Sequence, residues 1–156
     1  MRRLGHVELK VPPALLLVAA ALAIRGVAAL APWARINLPG RFWIAALLIV
    51  VGIAVAALGA IEFGRQRTTV DPMHPEKVSS LVTSGVFGFS RNPMYLGFLL
   101  VLLGGVAWTA NALSLLPVLA FALYLTRFQI IPEERWMQRQ FGDDYDAYRQ
   151  RVRRWI

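Results

Sequence analysis

The sequence predicts an all-α fold, a polytopic membrane bundle of four transmembrane helices followed by a cytoplasmic amphipathic helical tail, and three observations carry that reading. Of the 156 residues, 57% are hydrophobic, and they stand in long uncharged blocks instead of recurring at the spacing of a helix with one wet face. From Met94 to Thr126 there is no charged side chain at all, which is too long for one span and right for two helices joined by a tight turn. The 17 Lys and Arg outnumber the 9 Asp and Glu, a net charge of +8. These charges bracket the apolar blocks, as contact with an anionic membrane surface requires, and that placement sets nucleic acid aside as a partner. The length fits one domain over residues 1–156, with a two-helix part at 1–63 and a core at about 81–156. With no cysteine, disulfides, thiolate nucleophiles and cysteine metal sites are excluded, and no metal is predicted.

The N-terminus, MRRLGHVELK, is basic and lacks a small-residue cleavage site ahead of a soluble domain, so the first segment is read as retained. Val11 to Ile24 is uncharged, and the apolar character resumes after Arg25 as far as Ala34, making the first span. Arg25 then falls in its outer part, where a long side chain snorkels to the interface or faces a neighbouring helix. Phe42 to Ile61 is the second span; at about 1.5 Å per residue such a run crosses a hydrocarbon core of roughly 30 Å. Within it Gly52, Ala56 and Ala60 recur every four residues, with Gly59 beside them. Small residues on one face let two helices approach closely.

Asn92 is a favoured N-cap and Pro93 a favoured first helical residue, so the third span begins there. WTANAL, Trp108 to Leu113, supplies the turn, and Pro117 lies near the start of the fourth span, where a missing N–H costs least. In the tail, Pro132 opens a helix with Glu133 and Glu134 in its first turn, Gly142 stops it, and Asp143 and Asp144 start another. There Tyr145, Tyr148, Val152 and Trp155 recur at three- and four-residue spacing with arginines on the other faces. That pattern predicts a helix lying in the headgroup zone.

Loop charges give an orientation. Arg2, Arg3 and Lys10 precede the first span, Arg65, Arg67, Lys77 and Arg91 lie between the second and third, and Arg127, Arg135, Arg139, Arg149, Arg151, Arg153 and Arg154 follow the fourth. The opposite side has Arg35 and Arg41 in the first connection and nothing in the second. The positive-inside bias therefore predicts an integral membrane protein with both termini and the polar segment Gly64 to Arg91 in the cytoplasm, the membrane being the inner one if the source is bacterial.

Chemistry can sit at that cytoplasmic end. Arg91 stands beside the positive N-terminus of the third span, and a guanidinium next to free backbone donors at the edge of a low-dielectric phase suits a carboxylate or phosphate. Anchoring to lipid phosphates explains it equally well. Glu133 and Glu134 are first-turn acids, or they hold a cation or accept hydrogen bonds from hydroxyls. The antiparallel hairpin of spans three and four brings both ends together, so Arg91 is expected to face the acidic pair across a small cleft. His74, in DPMHPEK, reads as a loop histidine, with closure of the site as the sharper alternative. Glu62 is expected to pair with Arg65 or Arg67, TTVDP to shape a lid, and Tyr95 and Phe98 to line an acceptor channel or anchor the interface.

LVTSGVFGFSRNPMYLG, then an uncharged hairpin, then PEERWMQRQFGDDYDAYRQRV resembles the isoprenylcysteine carboxyl methyltransferases and their relatives, the phospholipid N-methyltransferases. The resemblance covers roughly the second half of the chain, from about Leu81. It implies S-adenosylmethionine bound by the hairpin and the tail on the cytoplasmic side, with a lipophilic acceptor, carboxylate or amine, arriving from the bilayer. Arg91, Pro93 and Tyr95 match an Arg-His-Pro-x-Tyr element, Glu133 and Glu134 an acidic pair, and Tyr145 and Tyr148 a Phe-Gly-x-x-Tyr-x-x-Tyr tail. Asn92 stands where that pattern has histidine, so it serves as a hydrogen-bonding residue and not as a base near neutral pH. The resemblance thus assigns cofactor binding to Arg91, Asn92, Pro93, Tyr95, Glu133, Glu134, Tyr145 and Tyr148, and catalysis to Arg91 and Glu134. Sterol reductases, which share an Arg-His-Pro region and use a nicotinamide cofactor, are a second enzyme class, and a non-catalytic lipid- or partner-binding protein is a third.

Overall fold

A computed structural model describes residues 9–66 and 79–156. His74 and the TTVDP stretch, with Arg67 and Lys77, lie outside the described residues. Among the described residues five α-helices run in order, α1 Pro13–Leu30, α2 Arg41–Arg65, α3 Pro93–Thr109, α4 Leu115–Leu125 and α5 Ile131–Arg151. Short 3₁₀ turns stand at Pro32–Ala34, Gly85–Gly88 and Ala112–Ser114. The all-α membrane bundle expected from the sequence is the architecture found. α1, α2 and the continuous helical stretch Ala112–Arg151 are long and apolar enough to cross a membrane, and α3 is a shorter apolar helix of 17 residues.

α3 is the central helix, packed on α1, α2 and α4. Its closest neighbour is α2, because glycines remove the side chains that would hold the two backbones apart. A Cβ on Gly52 would stand 2.6 Å from the Gly97 carbonyl oxygen and 2.9 Å from the Val101 nitrogen. Gly97 in turn lies against the Gly52 carbonyl and Ala56, and Gly104 against Ile49 and the Ala45 carbonyl. The small-residue stripe expected on α2 is therefore spent inside the molecule. It runs through Ala45, Gly52 and Gly59, which are buried, whereas Ala60 is exposed. A straight α-helix brings every seventh residue to nearly the same face, so a seven-residue register outlasts the four-residue one along the contact. Apolar side chains on the outer faces, among them Leu15, Leu22, Leu47, Ile53, Leu119 and Leu123, are more than half exposed. They form the surface that lipid would cover. Arg25 is also exposed on α1, in keeping with snorkelling.

The α3–α4 turn is tied down by polar groups that the fold satisfies. Asn111 donates to the Ala31 carbonyl at 2.7 Å and accepts from the Leu113 amide at 3.1 Å, and the buried Ser114 hydroxyl reaches the Ile24 carbonyl at 3.2 Å. The fourth span starts at Leu115, two residues ahead of Pro117, so this proline occupies the first turn as expected.

The tail departs from its expected form in two ways. Its first helix is continuous with α4 through a π turn at Thr126–Ile130, so Pro132 sits within a longer helical stretch instead of opening a separate one. A proline leaves the carbonyl four residues earlier without its usual donor. Here that carbonyl belongs to Phe128 and accepts the Leu9 amide at 3.1 Å. The stop expected at Gly142 is present as a kink, with φ 51° and ψ −121°. Beyond it, however, Tyr145, Tyr148 and Val152 turn inward, burying themselves against Leu81, Met137 and Phe141. The apolar face drawn from spacing is real, but protein covers it and not headgroups.

Candidate functional site

The start of α3, the first turns of α5 and the kinked end of α5 meet around a cavity of about 310 Å³, within the size range of small-ligand pockets. All eight sequence-assigned residues, Arg91, Asn92, Pro93, Tyr95, Glu133, Glu134, Tyr145 and Tyr148, line it. Pro12, Pro13 and Ala14 ahead of and within α1, and Phe63 from α2, line it as well. The site therefore draws on the N-terminal part and not on residues 81–156 alone.

Helix α3 begins at Pro93 with Asn92 as its N-cap residue, as the local sequence dictates. The Asn92 side chain makes no capping bond. Its Nδ2 donates instead to the main-chain carbonyl of Arg154 at 3.0 Å, while its own amide donates to Ser90 Oγ at 3.1 Å. The Arg91 amide donates to the Arg153 carbonyl at 3.0 Å.

Arg91 and the acidic pair do not face one another across a gap. Arg91 Nη2 donates to Glu134 Oε1 at 2.8 Å, with both side chains largely withdrawn from solvent. Arg154 grips the same carboxylate with a fork, Nε to Oε1 at 3.0 Å and Nη2 to Oε2 at 2.7 Å. Two guanidiniums thus share one carboxylate and leave the cluster net positive. The Glu134 hydrogen bond, the largest influence on Arg154, raises that guanidinium's pKa still further. The sequence had assigned the acidic pair to the ligand, but the oxygens of Glu134 are taken by arginine. Glu133 differs from its neighbour. Its Oε1 accepts the Tyr95 hydroxyl at 2.6 Å, and the buried Gln129 amide contacts both groups.

Two polar atoms on the cavity residues are buried without a hydrogen-bond partner, Arg91 Nε and Ser80 Oγ. Buried donors left unpaired are costly, and both belong to residues that line the cavity. Tyr148 spends its hydroxyl on the Phe87 carbonyl at 2.7 Å, fixing the turn at Gly85–Gly88 against α5. That turn is also held by Glu62. Its carboxylate takes Arg65 at 3.0 Å, as expected, and also Ser84 at 2.9 Å, directly beneath Gly85 at φ +58°. A Cβ there would lie 2.8 Å from the carboxyl, so only glycine satisfies both the φ and the space.

Sequence reasoning missed Ser80, Gln129 and Arg154. Gln129 carries a signal, as a lone polar residue between Phe128 and Ile130 just ahead of the acidic pair. Arg154 is one of many tail arginines, and nothing in its spacing singles it out.

Comparison with known proteins follows the same outline. A family profile described as phospholipid methyltransferase matches residues 40–144. A probable protein-S-isoprenylcysteine O-methyltransferase of Oryza sativa subsp. indica is 34% identical over 70% of this chain and 58% of its own length. Protein-S-isoprenylcysteine O-methyltransferase B of Arabidopsis thaliana is 34% identical over 67% of this chain and 53% of its own. The chain thus spans little more than half the length of these plant relatives. An uncharacterized protein of Haemophilus influenzae is 46% identical over its whole length, which covers 40% of this chain. No solved structure matches.

Proposed function

Because this chain belongs to the phospholipid methyltransferase family, we propose that it transfers a methyl group from S-adenosylmethionine to a lipophilic acceptor at the cytoplasmic face of the membrane. The observation that carries the proposal is one cavity whose wall joins Arg91 and Glu134, the latter gripped from behind the wall by Arg154, to an apolar side containing Phe63, Leu81, Val82 and Phe98. A charged nucleoside suits the first surface and a lipid chain the second.

The unpartnered atoms support the fit. S-adenosylmethionine supplies, when bound, a methyl group made electrophilic by its sulfonium. Arg91 Nε would hold its carboxylate, with Ser80 Oγ as a further donor or acceptor. Glu133, which is met by the Tyr95 hydroxyl and the Gln129 amide, would accept from ribose hydroxyls or the amino group. Glu134 would act on the ligand through Arg91 and Arg154, by fixing both guanidiniums. Tyr95, Tyr145 and Tyr148 would close the wall and keep water from the reacting groups, and alignment with exclusion of water is the main demand of a direct displacement. A carboxylate acceptor needs no base, whereas an ammonium must first lose a proton, for which Glu133 is the available carboxylate. The O-methyltransferase names of the plant relatives favour oxygen as the acceptor atom.

Calorimetry on the detergent-purified protein tests the cofactor. Saturable binding of S-adenosylhomocysteine is expected, with no heat from NADPH. Binding of NADPH instead, or of neither, overturns the proposal. With methyl-labelled S-adenosylmethionine and a lipid extract, label is expected in the organic phase, in base-labile form for an ester and base-stable form for an amine.

A further inference from the structure

We propose that Asn92 and Arg154 are positioning residues of this cavity: together they latch the chain that follows α5 onto the start of α3, which holds Arg154 on Glu134 and keeps the tyrosine face of α5 over the cavity. The inference rests on the methyltransferase reading for what the cavity binds, and on geometry alone for the latch.

The covering segment begins at Gly142. Nothing lies within 4 Å of where its Cβ would be, so glycine serves the left-handed φ of +51° there and not a close contact. From this bend the chain carries Tyr145 and Tyr148 across the cavity, leaves the helix at Val152, and returns to the Ser90–Asn92 stretch. At that return two consecutive residues are engaged. The Arg153 carbonyl takes the Arg91 amide, the Arg154 carbonyl takes Asn92 Nδ2 at 3.0 Å and Ser90 Oγ at a longer 3.4 Å, and the Arg154 guanidinium takes Glu134. Trp155 then packs against the helical core.

The Arg154 side chain is 36% exposed. An ion pair so open to solvent is weak unless its partners are already held in place. Asn92 supplies the shorter of the two bonds that fix the residue's own carbonyl, so the amide and the guanidinium act as one unit. The unit also sets the charge around Glu134 on the cavity wall. With Arg154 docked, two guanidiniums share one carboxylate and an anionic ligand group is attracted. With the tail released, Arg91 and Glu134 neutralise each other. An uncharged amide keeps this bond at any physiological pH.

Because the chain has no cysteine, Val152→Cys introduces a unique thiol at a site 8% exposed. Its rate of maleimide modification reads the population of released tail. Asn92→Ala is expected to speed modification about threefold to tenfold, the worth of one hydrogen bond, and Arg154→Met to do likewise. The double variant is expected to be no faster than the faster single one, because both break one latch. Asn92→His, which retains an N–H donor, is expected to return the rate toward that of the parent. Unchanged rates, or effects that multiply in the double variant, overturn the latch. A control thiol at Ile130, which is fully buried, is expected to stay unreactive throughout, and equal acceleration there overturns the proposal as general loss of the fold. S-adenosylhomocysteine is expected to leave Asn92→Ala faster than it leaves the parent by a similar factor. A parent that binds none of it defeats the methyltransferase reading, while the thiol rates still decide the latch.

Discussion

Glu134 and Glu133 are adjacent acids with opposite surroundings, and the difference dictates what each substitution should do. Glu134 answers two arginines, one of them with a side chain only 8% exposed. Removing one partner of a buried pair leaves an uncompensated charge and costs about 3–5 kcal/mol. Glu134→Gln is therefore expected to lower the unfolding temperature in detergent and to weaken S-adenosylhomocysteine binding by roughly 100-fold or more. Glu133→Gln keeps an acceptor for the Tyr95 hydroxyl, so unfolding is expected to move little while binding weakens by about tenfold, the worth of one charge-assisted hydrogen bond. Calorimetry and thermal unfolding on both variants check this, and equal behaviour of the two would contradict the division of roles. The residue types and their meeting at one helix end were readable in the sequence, because Pro93 fixes where α3 starts and an antiparallel hairpin fixes what lies opposite. That Arg91 touches Glu134 was not readable, since the closing distance depends on a third group, Arg154, 20 residues further along.

At the level of helices, the contact of α2 with α3 sets the position of the cavity, because Pro93 and Met94 at the start of α3 rest on Gly59. Gly97→Ala would drive a Cβ into the Gly52 carbonyl and to 2.9 Å from the Ala56 nitrogen, both backbone atoms that no rotamer can move. Overpacking of this kind costs about 1–3 kcal/mol. Gly26 on α1 has nothing within 4 Å of its Cβ position, and Gly26→Ala is expected to leave stability unchanged or slightly improved, as helix propensity favours alanine. Thermal unfolding followed by tryptophan fluorescence separates them, and equal melting of the two variants would show that the close approach is dispensable. The helices themselves were legible as uncharged runs. Their ends were less so. α2 continues past Ile61 to Arg65, where Glu62 and Arg65 form an i,i+3 pair, and Pro132 fails to break the fourth helix because the π turn and the Leu9 amide settle its freed carbonyl. Such compensation comes from a distant segment, beyond the reach of any local rule. The inward turn of Tyr145 and Tyr148 belongs to the same class, since spacing defines an apolar face without saying what covers it.

For the whole molecule, function and orientation are one question. The cavity opens at the end of the bundle that carries Arg91, Arg127 and the tail arginines, while Arg35 and Arg41 mark the opposite end near Trp33 and Trp43. The positive-inside rule would put the first end in the cytoplasm, where a soluble charged nucleoside is available and from which it cannot cross lipid. The exposed apolar belt between the two ends leaves the acceptor a route through the bilayer, so the two reactants would approach one cavity from different phases. In the cysteine-free chain, Asn37→Cys and Gln150→Cys each give an exposed thiol at one end. A maleimide that cannot cross membranes, applied to right-side-out vesicles, is expected to label the thiol at 37 and to spare the one at 150 until the vesicles are opened. Inverted vesicles are expected to give the reverse. Labelling of position 150 from outside would turn the charged wall of the cavity away from the cytoplasmic nucleoside pool, and a methyl donor from that pool could then no longer be its ligand, whatever the family resemblance implies.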